Sequence, residues 1–390
     1  MAIPLVYNIR SVRERWASSL VAVLGIAGVV AVFVATLALA KGFRSAMVES
    51  GSPDTVLIRR AGSNSEMESG VDLDQVKIIA DAPEIVRDSG GVPYSSAEVV
   101  VIAAFRHRKS DADALAQVRG VTERALETRS AVTVAEGRFF RPGLPELVVG
   151  RNAEEMYVGL ELGSRVKFGG QDWEVVGVLD AGGSALDSEI WCDASILQQT
   201  YDRPQNIFSS VTARLNNMGD LEAFKDRLTS DPRLTVQVES ERDYYRKQSR
   251  LLLSLITFLG GLVSLIMALG AVFGALNVLL ASVVSRLREL ATMRALGFSP
   301  AALVLSMIFE SLFVSFIGGL LGCIAIYPLN GLTTSTLNFQ TFSQVAFDFM
   351  VTPTLMAVGL VFALGMGFVG GLLPSIRAAR VPVASALREL

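Results

Sequence analysis

From Leu251 to Ser285 the chain carries no charged side chain over thirty-five consecutive positions. A bilayer core ~30 Å thick takes about 20 apolar residues in helical form, because every backbone polar group inside it must be satisfied within the segment. Three other stretches meet that requirement: Ala17–Ala40 and Pro353–Leu373, both uncharged, and Pro300–Tyr327, interrupted only by Glu310. As helix, Leu251–Ser285 would be roughly 52 Å long, more than one crossing and too short for two with a turn. The sequence therefore predicts four transmembrane helices. A cleaved signal peptide ending at Ala38-Leu39-Ala40 is the rival reading of the first stretch, but its apolar run exceeds a typical signal core of about 7–15 residues.

The charges are placed accordingly. Of 73 charged side chains, 59 lie between residues 41 and 250, as 26 basic and 33 acidic groups. The remaining 180 residues hold nine arginines and five acids. With 51% hydrophobic residues and a mean hydropathy of +0.44, this is neither a cytosolic enzyme nor a disordered chain. The acidic excess of the soluble part has the wrong sign for nucleic acid. Arg10, Arg13 and Arg15 precede the first span, Arg286, Arg288 and Arg294 separate the second and third, and Arg377, Arg380 and Arg388 follow the fourth. Residues 328–352 contain no Lys or Arg. The positive-inside rule places all three arginine groups in the cytoplasm, with both termini, and residues 41–250 outside.

Within the outer segment, Val99–Ala104, Glu146–Val149, Arg165–Phe168, Trp173–Val178, Ser210–Leu215 and Thr235–Val238 read as strands. Asp74–Ala80, Ala194–Tyr201 and Leu221–Leu228 read as helices, the last capped by Asp220. The elements do not alternate strictly, which predicts an α+β domain, and a break near Thr128–Thr133 could separate two lobes. Glu239–Arg250 and Lys41–Glu49 lack Pro, and Glu239–Arg250 also lacks Gly. Both are expected to extend the adjoining spans outward as a helical stalk; a flexible linker would be richer in Gly, Ser and Pro.

Catalytic chemistry has little to build on. His107 is the single histidine, set in Arg106-His107-Arg108-Lys109 as in a solvated surface. Cys192 and Cys323 are too few for a disulfide scaffold or a Cys-based zinc site. No phosphate-cradling G-x-x-x-x-G-K-[ST] loop occurs. Trp173 and Trp191 are expected to pack in strands and the outer acids to solubilise the domain. The expectation is a non-catalytic chain with no cofactor or metal of its own.

The segment Arg286-Leu287-Arg288-Glu289-Leu290-Ala291-Thr292-Met293-Arg294-Ala295-Leu296-Gly297 reads as a short amphipathic helix presenting arginine outward, ended by Gly297 and followed by Pro300 at the next helix start. It resembles the E-R-x-R-E-[IL]-G-x-x-R-A-[LV]-G pattern of the ABC transporter permeases of the MacB, LolC/LolE, DevC and FtsX (type VII) superfamily, departing at Ser285 and Ala291. Pro374-Ser375-Ile376-Arg377-Ala378 through Leu387-Arg388 resembles that family's ending. Gly137–Phe140, Glu146–Gly150 and Trp173–Leu179 resemble its periplasmic core.

The resemblance implies a membrane α-helical fold of four transmembrane helices with a large α+β extracytoplasmic domain between helices 1 and 2. Residues 1–16 would be a cytoplasmic amphipathic segment, 17–49 the first helix and stalk, 50–238 the MacB-like core and 239–285 the stalk and second helix. Residues 286–298 would be a coupling helix, 299–327 the third span, 328–352 an extracytoplasmic loop, 353–374 the fourth span and 375–390 a cytoplasmic tail. It further implies mechanotransmission: ATP hydrolysis by a separate ABC ATPase subunit, which holds ATP and Mg, moves the outer domain to export or extract a drug, peptide, lipid or lipoprotein. Only about 16 residues precede the first span, so the nucleotide site is expected in trans. The coupling contact would fall on Arg286, Leu287, Arg288, Glu289, Leu290, Arg294, Ala295, Leu296 and Gly297. Gly270/Gly274, Gly318/Gly322 and Gly367/Gly371 are small-xxx-small pairs suited to close helix packing, within the chain or at a dimer seam. Glu310 would serve packing or coupling, since a membrane-embedded charge needs a partner or a proton. Expected partners are the ATPase, a second permease chain, membrane lipids and, in an efflux assembly, a periplasmic adaptor. The alternative function is an FtsX-like signalling module that regulates a cell-wall hydrolase.

Overall fold

The computed structural model describes residues 16–48, 50–285, 287–338 and 341–380. The three N-terminal arginines and Arg388 lie outside them. The chain divides into two units: one comprises residues up to Lys41, Ser254–Leu332 and Phe349 onward, the other Gly42–Leu253 and Thr333–Asp348. In chain order the helices are α1 (Trp16–Val48), α2 (Leu73–Ala80), α3 (Ala125–Thr128), α4 (Arg151–Met156), α5 (Ala194–Thr200), α6 (Leu221–Ser230), α7 (Glu241–Ser285), α8 (Leu287–Ala295), α9 (Pro300–Ile326) and α10 (Pro353–Arg380).

The four helices α1, α7, α9 and α10 are long and apolar enough to cross a membrane, at the four expected places. α1 continues unbroken through Ala38–Ala40 to Val48, as the stalk reading requires. α7 starts at Glu241 because Glu239 and Ser240 still pair in a strand. In the apolar unit Val30, Val34, Cys323, Ala363 and Met366 are buried together.

The soluble unit is built on one mixed sheet. Its strands are β1 (Thr55–Arg60), β2 (Val71–Asp72), β3 (Ser95–Arg106), β4 (Asp113–Val121), β5 (Thr133–Gly137), β6 (Glu146–Gly150), β7 (Arg165–Phe168), β8 (Gln171–Asp180), β9 (Ile190–Asp193), β10 (Ile207–Phe208), β11 (Ser210–Arg214), β12 (Val236–Ser240), β13 (Thr333–Leu337) and β14 (Gln344–Asp348). The main sheet runs β12-β1-β11-β3-β4-β9-β6-β8-β5, with β7 beside β8; β4/β9 and β6/β8 are parallel. The stretch Val99-Val100-Val101-Ile102 gives β3 the β-branched density that a strand buried on both faces needs. The second half of β3 pairs with β4 and its first half with β11, so β3 joins the two halves of the sheet. One cluster gathers Val99, Val101, Val118, Leu147, Trp173 and Ile190, the other Val56, Ile58, Ile79, Val211, Phe224 and Val238.

Three expectations need correction. The sheet passes through strands from both sides of Thr128–Thr133, so no lobe boundary falls there. Asp220 stands at the N-cap of α6 but makes no side-chain cap bond. Residues 328–352 are not a plain loop: β13 and β14 form an antiparallel hairpin that belongs to the soluble unit. Ala346 N–H donates to Ser188 Oγ at 3.0 Å, Asn338 Nδ2 to Gln248 Oε1 at 3.1 Å, and Phe347 packs edge-on against Phe43.

Candidate functional site

The short connecting helix α8 forms as expected. Gly297, at φ +95°, turns the chain in the left-handed region that glycine enters without strain, and Phe298 N–H reaches back to the Met293 carbonyl at 3.1 Å. Ser299 Oγ then accepts from Ala302 N–H at the start of α9. Met293 joins Leu303, Met307 and Ala378. Arg294 differs from expectation. It is half-buried and donates Nη1 to the Ala379 carbonyl at 3.2 Å, in the last turn of α10 where carbonyls lack helical partners. A cation there also complements the helix dipole. Of the expected contact residues, Glu289, Ala295 and Leu296 are exposed, the last 70%, with Gly297 beside them. Arg286 lies outside the described residues, as do the side chains of Leu287, Arg288 and Leu290.

The glycine pairs separate into two kinds. A Cβ on Gly318 would fall 2.9 Å from the Val23 carbonyl oxygen, and one on Gly322 2.6 Å from that of Ala27, so both face α1. Gly367 and Gly371 face Ser315 and Ser311 of α9, and Ser311 Oγ donates to the Gly367 carbonyl at 2.5 Å. These four glycines pack helices within the chain. A Cβ on Gly270 or Gly274 would meet nothing within 4 Å. Glu310 is half-buried in α9.

The charges in the soluble unit contain the feature that sequence reading missed. Four of its acids do not solubilise anything: Glu66, Glu98, Glu189 and Glu241 are buried, together with Arg119 and Arg129. Strand alternation turns Glu98 and Arg119 away from the apolar cluster. Ala97, Val99 and Val101 turn to the apolar cluster while Glu98 takes the other side of β3; Val118 and Ile190 do the same opposite Arg119 and Trp191, which are cross-strand neighbours. Arg119 donates Nε and Nη2 to Glu189 at 2.7 and 2.9 Å, Nη1 to Glu98 at 2.8 Å, and Nη1 and Nη2 to Glu66 at 2.7 and 3.0 Å. Arg129 donates Nη1 and Nη2 to Glu98 at 2.5 and 2.9 Å and Nε to Glu241 at 2.7 Å.

Burial pushes the Glu66 carboxyl up, but Arg119 and the Ser210 hydroxyl outweigh it and hold it below the usual range. Burial likewise works against the charge of Arg119, and Glu189 and Glu66 more than restore it. The signal available in the sequence was a lone charge inside an apolar strand, Glu98 in Ala97–Val101 and Arg119 in Ala116–Val121. A charge so placed must be paired. Among the described residues no group of three or more His, Cys, Asp or Glu is arranged to hold a metal ion. Cys192 and Cys323 are both buried and free. His107 bridges to Tyr157 beside the exposed Lys109.

Two family descriptions cover most of the chain: the MacB-like periplasmic core domain over residues 19–231 and the FtsX-like permease C-terminal domain over residues 261–383. The chain belongs to the MacB/FtsX superfamily of ABC transporter permeases. It is 24% identical over 97% of its length to the macrolide export ATP-binding/permease protein MacB of Azoarcus sp. strain BH72, covering 58% of that protein. It is 22% identical over 73% of its length to the ABC transporter permease YknZ of Bacillus subtilis strain 168, covering 72% of it. The chain thus spans about three-fifths of the MacB relative. Among solved structures, the periplasmic region of MacB from Actinobacillus actinomycetemcomitans aligns with 51% of the chain at 11% identity and a TM-score of 0.38. In this permease the periplasmic-type domain lies between the first and second of the four apolar helices.

Proposed function

We propose that this permease works as the transmembrane subunit of a type VII ABC transporter, converting ATP hydrolysis by a separate ATPase chain into movement of its outer domain. ATP and Mg belong to that partner. In this reading α8 and both termini are cytoplasmic, the soluble unit is extracytoplasmic, and the cargo is an amphipathic drug, peptide, lipid or lipoprotein handled on the outer side.

The observation that carries the reading is the single helix Glu241–Ser285. At 1.5 Å per residue it is roughly 68 Å long. Its first residue is bonded into the buried charge network, and its last is one residue from α8. A continuous helix transmits displacement, whereas a linker would absorb it. The match to a MacB-like core over 19–231 favours transport over the signalling alternative. Gly270 and Gly274, where an added Cβ would meet no described atom within 4 Å, support close approach of a second permease chain along α7.

The exposed apolar side chain of Leu296 and its neighbours Glu289 and Ala295 are the surface offered to the ATPase. Leu296→Asp will lower ATP hydrolysis by the co-purified ATPase in proteoliposomes at least about tenfold, equivalent to about 1.4 kcal/mol of lost contact, while the thermal unfolding of the permease stays unchanged. Full hydrolysis by the variant would remove α8 from the coupling contact.

A further inference from the structure

Six ionisable side chains of the soluble unit meet in one buried cluster, each no more than 4% exposed: Arg119, Arg129, Glu66, Glu98, Glu189 and Glu241. Two guanidinium groups therefore face four carboxyl groups. The adjacent Arg59 and Lys247 share Glu239, Lys247 at 2.6 Å, so this trio adds one positive charge and leaves one negative charge in excess. An uncompensated negative charge held away from water is strongly unfavourable, and a buried carboxylate escapes that cost by binding a proton.

Donor counts identify the carboxyl that does so. Glu189 accepts four hydrogen bonds: two from Arg119, one from Gln117 Nε2 at 2.6 Å and one from Trp191 Nε1 at 2.9 Å. Glu66 accepts three, two from Arg119 and one from Ser210 at 2.6 Å. Glu98 accepts three, all from the two arginines. Glu241 accepts two: Arg129 Nε at 2.7 Å, and Ser52 N–H at a long 3.2 Å. The groups facing Glu241 are Arg129 from the segment after α3, Glu98 from β3, Arg119 from β4, and Tyr245 from its own helix. The exposed Arg242 spends its Nε on the Gly51 carbonyl at 3.4 Å.

We propose that Glu241 is a proton-binding site, protonated at neutral pH, and that its proton sets the joint at which the chain enters and leaves the soluble unit. Gly51 and Ser52 belong to the entering segment and Glu241 opens the leaving helix. Gly51, at φ +86°, lies so close that a Cβ there would be 2.8 Å from Glu241 Cγ. Loss of the proton leaves an excess negative charge in this joint and loosens it. Burial, opposed by Arg129, raises the Glu241 carboxyl's affinity for a proton, in keeping with the bonding pattern. A folded-state affinity above that of the unfolded chain means that stability is complete at low pH and is lost as pH rises, the reverse of an ordinary paired acid. The proposal needs nothing of the transport reading and can fail independently of it.

The test uses the full chain in lipid nanodiscs, with unfolding followed from pH 5 to 8.5 through the buried Trp173 and Trp191. In the wild type the folding constant is expected to fall by up to about tenfold per pH unit, the limit for one proton; in Glu241→Gln this component is absent. Equal pH dependence in the two proteins overturns the proposal. So does a wild type that ignores pH but responds to sodium or potassium at constant ionic strength, which would make a metal cation the counter-charge. If Glu241→Gln does not fold, infrared spectra of the wild type decide. A protonated-carboxyl C=O band at pH 7 that persists in Asp187→Asn combined with Glu310→Gln, Asp187 being another carboxyl raised by burial, supports the proposal; its absence overturns it.

Discussion

Arg119→Met will leave the soluble unit unable to hold its native state at physiological temperature. The substitution removes five hydrogen bonds and leaves Glu66, Glu98 and Glu189 buried without their common cation. Breaking a buried ion pair from one side costs about 3–5 kcal/mol, and Glu66 and Glu189 lose their arginine at once while Glu98 keeps Arg129. Against a total stability of about 5–15 kcal/mol for a domain, that loss is decisive. The measurement is the unfolding midpoint and protease resistance of the full chain. The matched control is Arg108→Met: Arg108 pairs with Glu161 with both side chains nearly half exposed, and such a surface pair contributes less than about 1 kcal/mol. Arg119→Met and Arg108→Met variants of equal stability would mean that the network contributes nothing to the fold.

Gly322→Leu will separate α9 from α1. The obstacle at Gly322 is backbone, since its added Cβ would lie 2.6 Å from the Ala27 carbonyl oxygen and 2.9 Å from Val30 Cβ. A side-chain end could swing aside; a carbonyl held in a helix cannot. Small-to-large changes in packed cores cost about 1–3 kcal/mol, and Leu adds three further carbons beyond the Cβ that already collides. The expected result is a lowered unfolding midpoint in detergent and loss of disulfide trapping between cysteines placed on α1 and α9. Gly365→Leu, where a Cβ meets no described atom within 4 Å, should leave both readouts unchanged. A Gly322→Leu protein as stable as Gly365→Leu would contradict the packing described.

How far the sequence could be read follows from the range over which each feature is determined. The four spans were legible because uncharged length is a property of consecutive residues. α8 was legible because Gly297 and Pro300 mark its end and the next start locally. Arg294 was read as facing outward because helical position alone cannot reveal the Ala379 carbonyl, 85 residues further on. The charge network joins residues from 66 to 241 and exists only once β3, β4 and β9 lie side by side. Glu98 therefore looked like any acid of a soluble domain. The β13–β14 hairpin was missed for a related reason. Thr333–Leu337 is mostly polar and gains its partner only by pairing with Gln344–Asp348.

The central claim is that energy is received by α8 on one side of the membrane and used by the soluble unit on the other. Single cysteines at Leu296 and at the exposed Val92 test it directly, because the native Cys192 and Cys323 are buried and shielded from a membrane-impermeant maleimide. In sealed spheroplasts the account predicts labelling at position 92, and labelling at position 296 only after the membrane is opened. Labelling of position 296 in sealed spheroplasts would contradict it.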